Sequence, residues 1–122
     1  MRHVGPGDLW AAARALHPVP GEDRARVMVA LLARAEAADK YRRRYRRAHS
    51  RWGDGSLVAA ALADRPPPAP GLGDPSFAAA LASALDGLIA WRAEKAVRGG
   101  WSPRSAPDSS GEAEKRRAVR GS

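Results

Sequence analysis

Residues 22–49 read EDRARVMVALLARAEAADKYRRRYRRAH, an uninterrupted stretch without Gly or Pro. Val27, Met28, Leu31, Ala35 and Ala38 recur along it at helical steps, and the stripe continues as Tyr41, Tyr45, Ala48 and Trp52. Steps of four, three and four keep those last four residues within a narrow arc at about 100° per residue. The spacing predicts one long helix from about Glu22 to His49. Glu22 and Asp23 suit the positive end of its dipole, and the arginines of the last turns suit the negative end. Near its end this helix would present an aromatic seam on one side and an arginine surface across the opposite arc of about 200°.

Working outward, a first helix is expected from about Leu9 to Leu16, capped by Asp8 and ended by Pro18. Leu9, Ala12, Ala13 and Leu16 form its apolar stripe, with Trp10 off to one side as a cover for a neighbour. Trp52-Gly53-Asp54-Gly55 reads as a turn. A third helix follows from about Ser56 to Ala63, capped by Asp54 or Ser56, with Leu57, Val58, Ala61 and Leu62 as its core. Residues 66–73 form a Pro-rich linker of polyproline character, which is expected to hold the next helix at a distance. Asp74-Pro75 is a strong helix start. The fourth helix runs to about Val97 or Arg98, with Phe77, Leu81, Leu85 and Leu88 as its stripe and Ile89 and Trp91 alongside. Gly87 weakens it by roughly 1 kcal/mol relative to Ala, and Gly99-Gly100 ends it. The expected fold is therefore all-α, a small bundle of about four helices with one long basic helix. Residues 1–98 form the helical domain and residues 99–122 a disordered, polar and basic tail.

A chain of 122 residues is one domain at most. Its core is small and rich in Ala, so self-association or a partner is expected to add stability. There is no cysteine, which excludes disulfides, thiolate metal sites and a cysteine nucleophile and fits the cytoplasm. No apolar run approaches the roughly 18 residues of a membrane helix. The net charge is +8, and its location says more than its size. Lys40, Arg42, Arg43, Arg44, Arg46, Arg47 and Arg51 lie together in a span without one acid. The other 14 basic residues nearly balance the 13 acids of the chain.

Chemistry is harder to find. His3, His17 and His49 stand at no ligand spacing to one another or to a carboxylate pair, so no metal is expected. The serines form no nucleophile elbow, and Gly5-Pro6-Gly7 and Gly71-Leu72-Gly73 lack the Lys-Ser/Thr of a phosphate loop. We therefore expect no cofactor and no enzyme. The basic segment is the one feature above background. Arginines along a helix reach successive phosphates, each contact releasing counterions. The plainer alternative is a solvated charged face. Tyr41, Tyr45 and Trp52 could stack on unpaired bases, but as a continuation of the apolar stripe they are expected to pack against the fourth helix. A helix-turn-helix fits helices two and three by length, yet the would-be recognition helix is Leu, Val and Ala and cannot read base edges. Nucleic acid would be held mainly by phosphate, with low sequence specificity. A second cluster, Lys115, Arg116, Arg117 and Arg120, would let the tail dock on an acidic groove of a partner.

Several segments resemble a family of small proteins of Rhodobacter-type alphaproteobacteria. They are Gly7-Asp8-Leu9 with Ala11 to Leu16, Ala35 to Asp39 followed by Tyr41-Arg42-Arg43, Arg51-Trp52-Gly53-Asp54-Gly55-Ser56-Leu57, and Asp74-Pro75-Ser76-Phe77. The resemblance covers about Met1 to Trp91, and Trp-Gly-Asp-Gly is its distinctive part. It implies a link to DNA packaging in gene transfer agents or prophages, as a small terminase subunit that binds DNA and hands it to a packaging motor subunit. The apolar third helix departs from many such subunits, and no single site residue carries over. The expectation is thus a non-enzymatic nucleic-acid-binding adaptor, with a homo-oligomer compatible with it. The alternative is a regulatory protein-interaction module whose arginine face meets an acidic protein surface.

Overall fold

The computed structural model describes residues 1–98. They form four α-helices: α1 Pro6–Leu16, α2 Arg24–Tyr45, α3 Leu57–Leu62 and α4 Pro75–Arg98, with a 3₁₀ turn at Gly21–Asp23 leading into α2. There is no strand among them, only an isolated antiparallel bridge between His49 and Gly53, so the fold is all-α as the periodicities predict. The expected tail, 99–122, with Lys115, Arg116, Arg117 and Arg120, lies outside the described residues. Contacts divide the chain into one unit of Met1–Trp91 and a second that begins at Arg92. In the last turns of α4, Arg98 pairs with Glu94 at 3.0 Å.

The core gathers Ala11, Ala12, Ala13 and Leu16 from α1, Met28, Leu31 and Leu32 from α2, Leu57 and Ala61 from α3, and Phe77, Ala80, Ala84 and Leu88 from α4. Alanine at so many of these positions lets the helix axes approach closely. Gly87 continues that pattern, since a Cβ there would lie 2.5 Å from Met28 Cγ. The residue that weakens α4 by propensity is the one that lets Met28 of α2 in. Trp10 covers the edge of Phe77, ring centroids 4.9 Å apart.

Three sequence expectations are corrected. The buried stripe of α4 is Phe77, Ala80, Ala84 and Leu88, whereas Leu85 and Ile89 are 46% and 60% exposed. At 100° per residue Leu85 stands about 80° from Phe77, but Ala84 and Leu88 fall within about 20° of it. Nor does the Pro-rich linker hold α4 away. Arg14 on α1 grips the carbonyls of Pro66 and Pro67, both at 3.0 Å, and α4 packs directly into the core. Asp8 is not the N-cap residue of α1, which starts earlier at Pro6 with Gly5 in that place. Its carboxylate accepts from the Gly5 N–H at 2.8 Å and, with its other oxygen, from the Val58 N–H at 2.9 Å. It therefore ties the first turn of α1 to the first turn of α3.

Other caps follow the sequence. Ser56 Oγ accepts from the Ala59 N–H at the start of α3, and Asp74 Oδ1 accepts from the Ser76 and Phe77 N–H groups at the start of α4. The end of α1 is closed by an unexpected group. Arg24 is only 8% exposed. Its Nε donates to the Leu16 and Val19 carbonyls at 3.0 and 3.1 Å, and its Nη2 donates to the His17 carbonyl at 3.0 Å and Ser76 Oγ at 3.3 Å. Carbonyls at a helix end lack intrahelical partners, and a cation there also meets the negative end of the dipole.

Candidate nucleic-acid interface

The basic segment is not a continuous helix. α2 stops at Tyr45, and Arg46 takes a left-handed conformation at φ 58° while its N–H still bonds the Arg42 carbonyl at 2.7 Å. Arg47, His49, Arg51 and Trp52, expected on or beside the helix, lie in the loop that follows. Tertiary structure decides this end. The chain must return to Gly55, which packs on Asp39: a Cβ at Gly55 would lie 2.6 Å from Asp39 Cα, and φ there is +97°. From His49 the way back along α2 would be about 15 Å, and from Tyr45 it is about 9 Å.

The loop holds itself in shape. His49 and Gly53 exchange backbone hydrogen bonds at 2.8 and 3.0 Å. His49 Nδ1 accepts from the N–H groups of Arg51 and Trp52, each at 3.1 Å, so in this arrangement a ring proton belongs on Nε2. Gly53 adopts φ +85° against Ala59. The N-terminal segment clamps the far side: the Arg2 N–H donates to the Gly55 carbonyl at 3.0 Å, and Arg2 Nη1 meets Asp54 Oδ2 at 2.8 Å. Hydrogen bonds from Ser56, with the Arg2 charge adding to them against some burial, hold the Asp54 carboxyl below its ordinary pKa.

The seven predicted cations divide into two groups. Lys40 lies 3.9 Å from Glu36, Arg42 lies 3.5 Å and Arg43 lies 3.2 Å from Asp39. Arg42 also donates through Nε to the Asp54 carbonyl at 3.0 Å. Asp39 is buried and additionally meets the Met1 ammonium at 3.1 Å. Burial raises the Asp39 pKa, but the hydrogen bond and charge of Met1, then the charges of Arg43 and Arg42, outweigh it and leave the carboxyl below its ordinary value. Sequence reasoning missed Asp39 and Glu36 because both precede the acid-free span, although their i,i+3 and i,i+4 spacing to the cations was there to be read. Arg44, Arg46, Arg47 and Arg51 form the second group. All four are exposed, and none has a carboxylate partner among the described residues.

The aromatic seam is also placed differently. Tyr41 and Trp52 are half-buried, yet neither is among the side chains packed on the core, and Tyr45 is 52% exposed. Instead of covering α4, the rings form a row with His49. Centroids of Tyr45 and Tyr41 lie 4.6 Å apart, Tyr41 and His49 5.0 Å apart, and His49 and Trp52 stack at 4.8 Å with 11° between planes. The Arg44 guanidinium lies 5.7 Å from the Tyr45 ring centre. α3, the would-be recognition helix, is short and packs on α1 and α2 with Leu57, Ala60 and Ala61 buried.

Among the described residues no three His, Asp or Glu side chains are placed to hold a metal ion, and no helix is long and apolar enough to cross a membrane. A family described as a domain of unknown function, DUF7742, matches residues 2–88. The chain belongs to that family. The DUF7742 match takes in the whole basic loop, its Asp39 anchor and the arginines clamped to it. No curated protein and no solved structure matches the chain.

Proposed function

We propose that this chain is a non-enzymatic nucleic-acid-binding adaptor that holds the phosphate backbone through Arg44, Arg46, Arg47 and Arg51. The observation that carries this is the division of the basic segment. These four guanidiniums stand within eight residues of one another, exposed and without a carboxylate partner among the described residues. The backbone beneath them is pinned by the His49–Gly53 bridge and by Arg2. Unneutralised cations on a fixed backbone attract a polyanion with little ordering of the protein on binding. Lys40, Arg42 and Arg43, which the sequence places in the same surface, contribute less because Glu36 and Asp39 already offset them. The small-terminase form of this proposal, with a packaging motor as the further partner, rests on the sequence resemblance.

The test is fluorescence anisotropy with a labelled random 20-base-pair duplex over a salt series, for wild type and for a variant with Arg44, Arg47 and Arg51 changed to Glu. Arg46 is left in place because it closes α2. Four phosphate contacts give a log–log salt slope of about −3.6. The variant, still helical by circular dichroism, is expected to lose binding. If wild type binds neither this duplex nor a single strand of the same length at near-physiological salt, the proposal is wrong, and an acidic protein surface becomes the partner to test.

A further inference from the structure

We infer that the same surface takes unpaired nucleotides in preference to a duplex, their bases stacking on the exposed Tyr45 ring and along the row that ends in the His49–Trp52 stack. This rests on the nucleic-acid reading above and narrows its substrate. Phosphate contacts alone would need only the arginines. The rings are a separate observation, since they lie outside the core although the apolar periodicity of α2 would have put them in it. An aromatic ring half in solvent is a poor use of a tyrosine in a monomer but suits a platform for a base, because every base has a flat face. Arg44 over the Tyr45 ring adds a cation beside the platform. The His49–Trp52 stack is held by the loop's own hydrogen bonds, so its plane is set before a ligand arrives.

Duplex reading is poorly served by the same surface. The chain contains no Asn and no Gln, the side chains that pair with adenine edges in a groove. α3, the helix that follows the turn, packs on α1 and α2 rather than projecting. A ring cannot stack on bases that are already stacked inside a duplex, so the aromatic row gains a role only when the strand is open.

The test measures anisotropy of labelled dT20, rU20 and a 20-base-pair duplex at one salt concentration, for wild type, Tyr45→Ala and Tyr45→Phe. The dT20 and rU20 probes separate DNA from RNA as the source of the unpaired strand. We expect single strands to bind about tenfold tighter than the duplex. Tyr45→Ala is expected to lose about tenfold on single strands and so to bring them down to the affinity of the duplex, and Tyr45→Phe to retain the preference. Tyr45 is exposed at the last position of α2, so its loss leaves the fold intact. Equal binding of all probes with Tyr45→Ala silent overturns this inference and leaves the phosphate proposal standing. Binding of no probe overturns both.

Discussion

Replacing Asp39 by Asn removes one charge and leaves the side chain's shape nearly unchanged. The carboxylate is 9% exposed and lies 3.1 Å from the Met1 ammonium, 3.2 Å from Arg43 and 3.5 Å from Arg42. The two arginines are 63% and 39% exposed, so each pair contributes at most about 1 kcal/mol. The ammonium dominates. It is 8% exposed and otherwise has Glu36 at 4.0 Å. Removing one partner of a buried pair costs about 3–5 kcal/mol, which the amide oxygen partly offsets by accepting the same hydrogen bond. A loss of about 2–4 kcal/mol follows, or a fall in Tm of about 10–30 °C for a folded body of this size. Because the folded state holds the Asp39 pKa below its unfolded value, its contribution is present above about pH 4 and disappears as pH falls through the folded value. Thermal melts of the two proteins by circular dichroism should differ at pH 7 and converge in acid. Binding should move the other way, since Arg42 and Arg43 lose their carboxylate. The log–log salt slope on nucleic acid should steepen by about 0.9 for each arginine that then reaches a phosphate. Equal stability at pH 7, a gap that persists in acid, or weaker binding by the folded variant would refute the role given to Asp39.

Arg24→Met keeps the length of the side chain but takes this donor from the His17 and Val19 carbonyls, while the Leu16 carbonyl keeps the Val19 N–H; hydrogen bonds from a charged group contribute about 1.5–3 kcal/mol each where water cannot replace them. A loss of about 2–4 kcal/mol in urea unfolding is expected, and a loss under 1 kcal/mol would mean that water takes over the capping. Gly55→Ala places a methyl group 2.6 Å from Asp39 Cα at φ +97°, where α2 backbone rather than a flexible side chain must yield. It should cost more than about 3 kcal/mol and loosen the basic loop, seen as faster amide exchange at Arg51 to Asp54, whereas an unchanged melt would show that the turn has room to spare.

Much of this fold is legible along the chain because it is written in local chemistry. Asp74-Pro75 starts α4, Ser56 starts α3, and the periodicity of residues 27–38 buries Met28, Leu31, Ala35 and Ala38, with Val27 only partly buried and Leu32 added to them. What escapes is what depends on a distant segment. Leu85 resembles a core residue by type, but the small residues Ala80 and Ala84 make the closer contact, so phase outweighs hydrophobicity. Asp8 has the composition of a cap and acts as one, but from the third position of α1, where it holds the Gly5 N–H and reaches the first turn of α3 as well. The end of α2 is illegible for the same reason. Nothing within residues 40–49 disfavours helix, and the chain turns back there to seat Gly55 on Asp39. At the candidate site the location of the charge is read correctly, while its neutralisation and the fate of the rings are not.

The division of the cations is nonetheless a consequence of sequence spacing. On a helix a carboxylate reaches residues three and four positions ahead. Glu36 therefore reaches Lys40, and Asp39 reaches Arg42 and Arg43. Arg44 stands five positions from Asp39, beyond that reach, and the stop at Tyr45 carries Arg46, Arg47 and Arg51 off the helix altogether. Two acids placed before an arginine run thus partly offset the charge of its first half, which lies against a buried anchor and serves the fold. The second half is left charged on a loop that the same anchor, through Gly55, holds in place. Stability and an exposed cationic surface then come from one arrangement, which is why the substitution that weakens the first should leave more charge on the second.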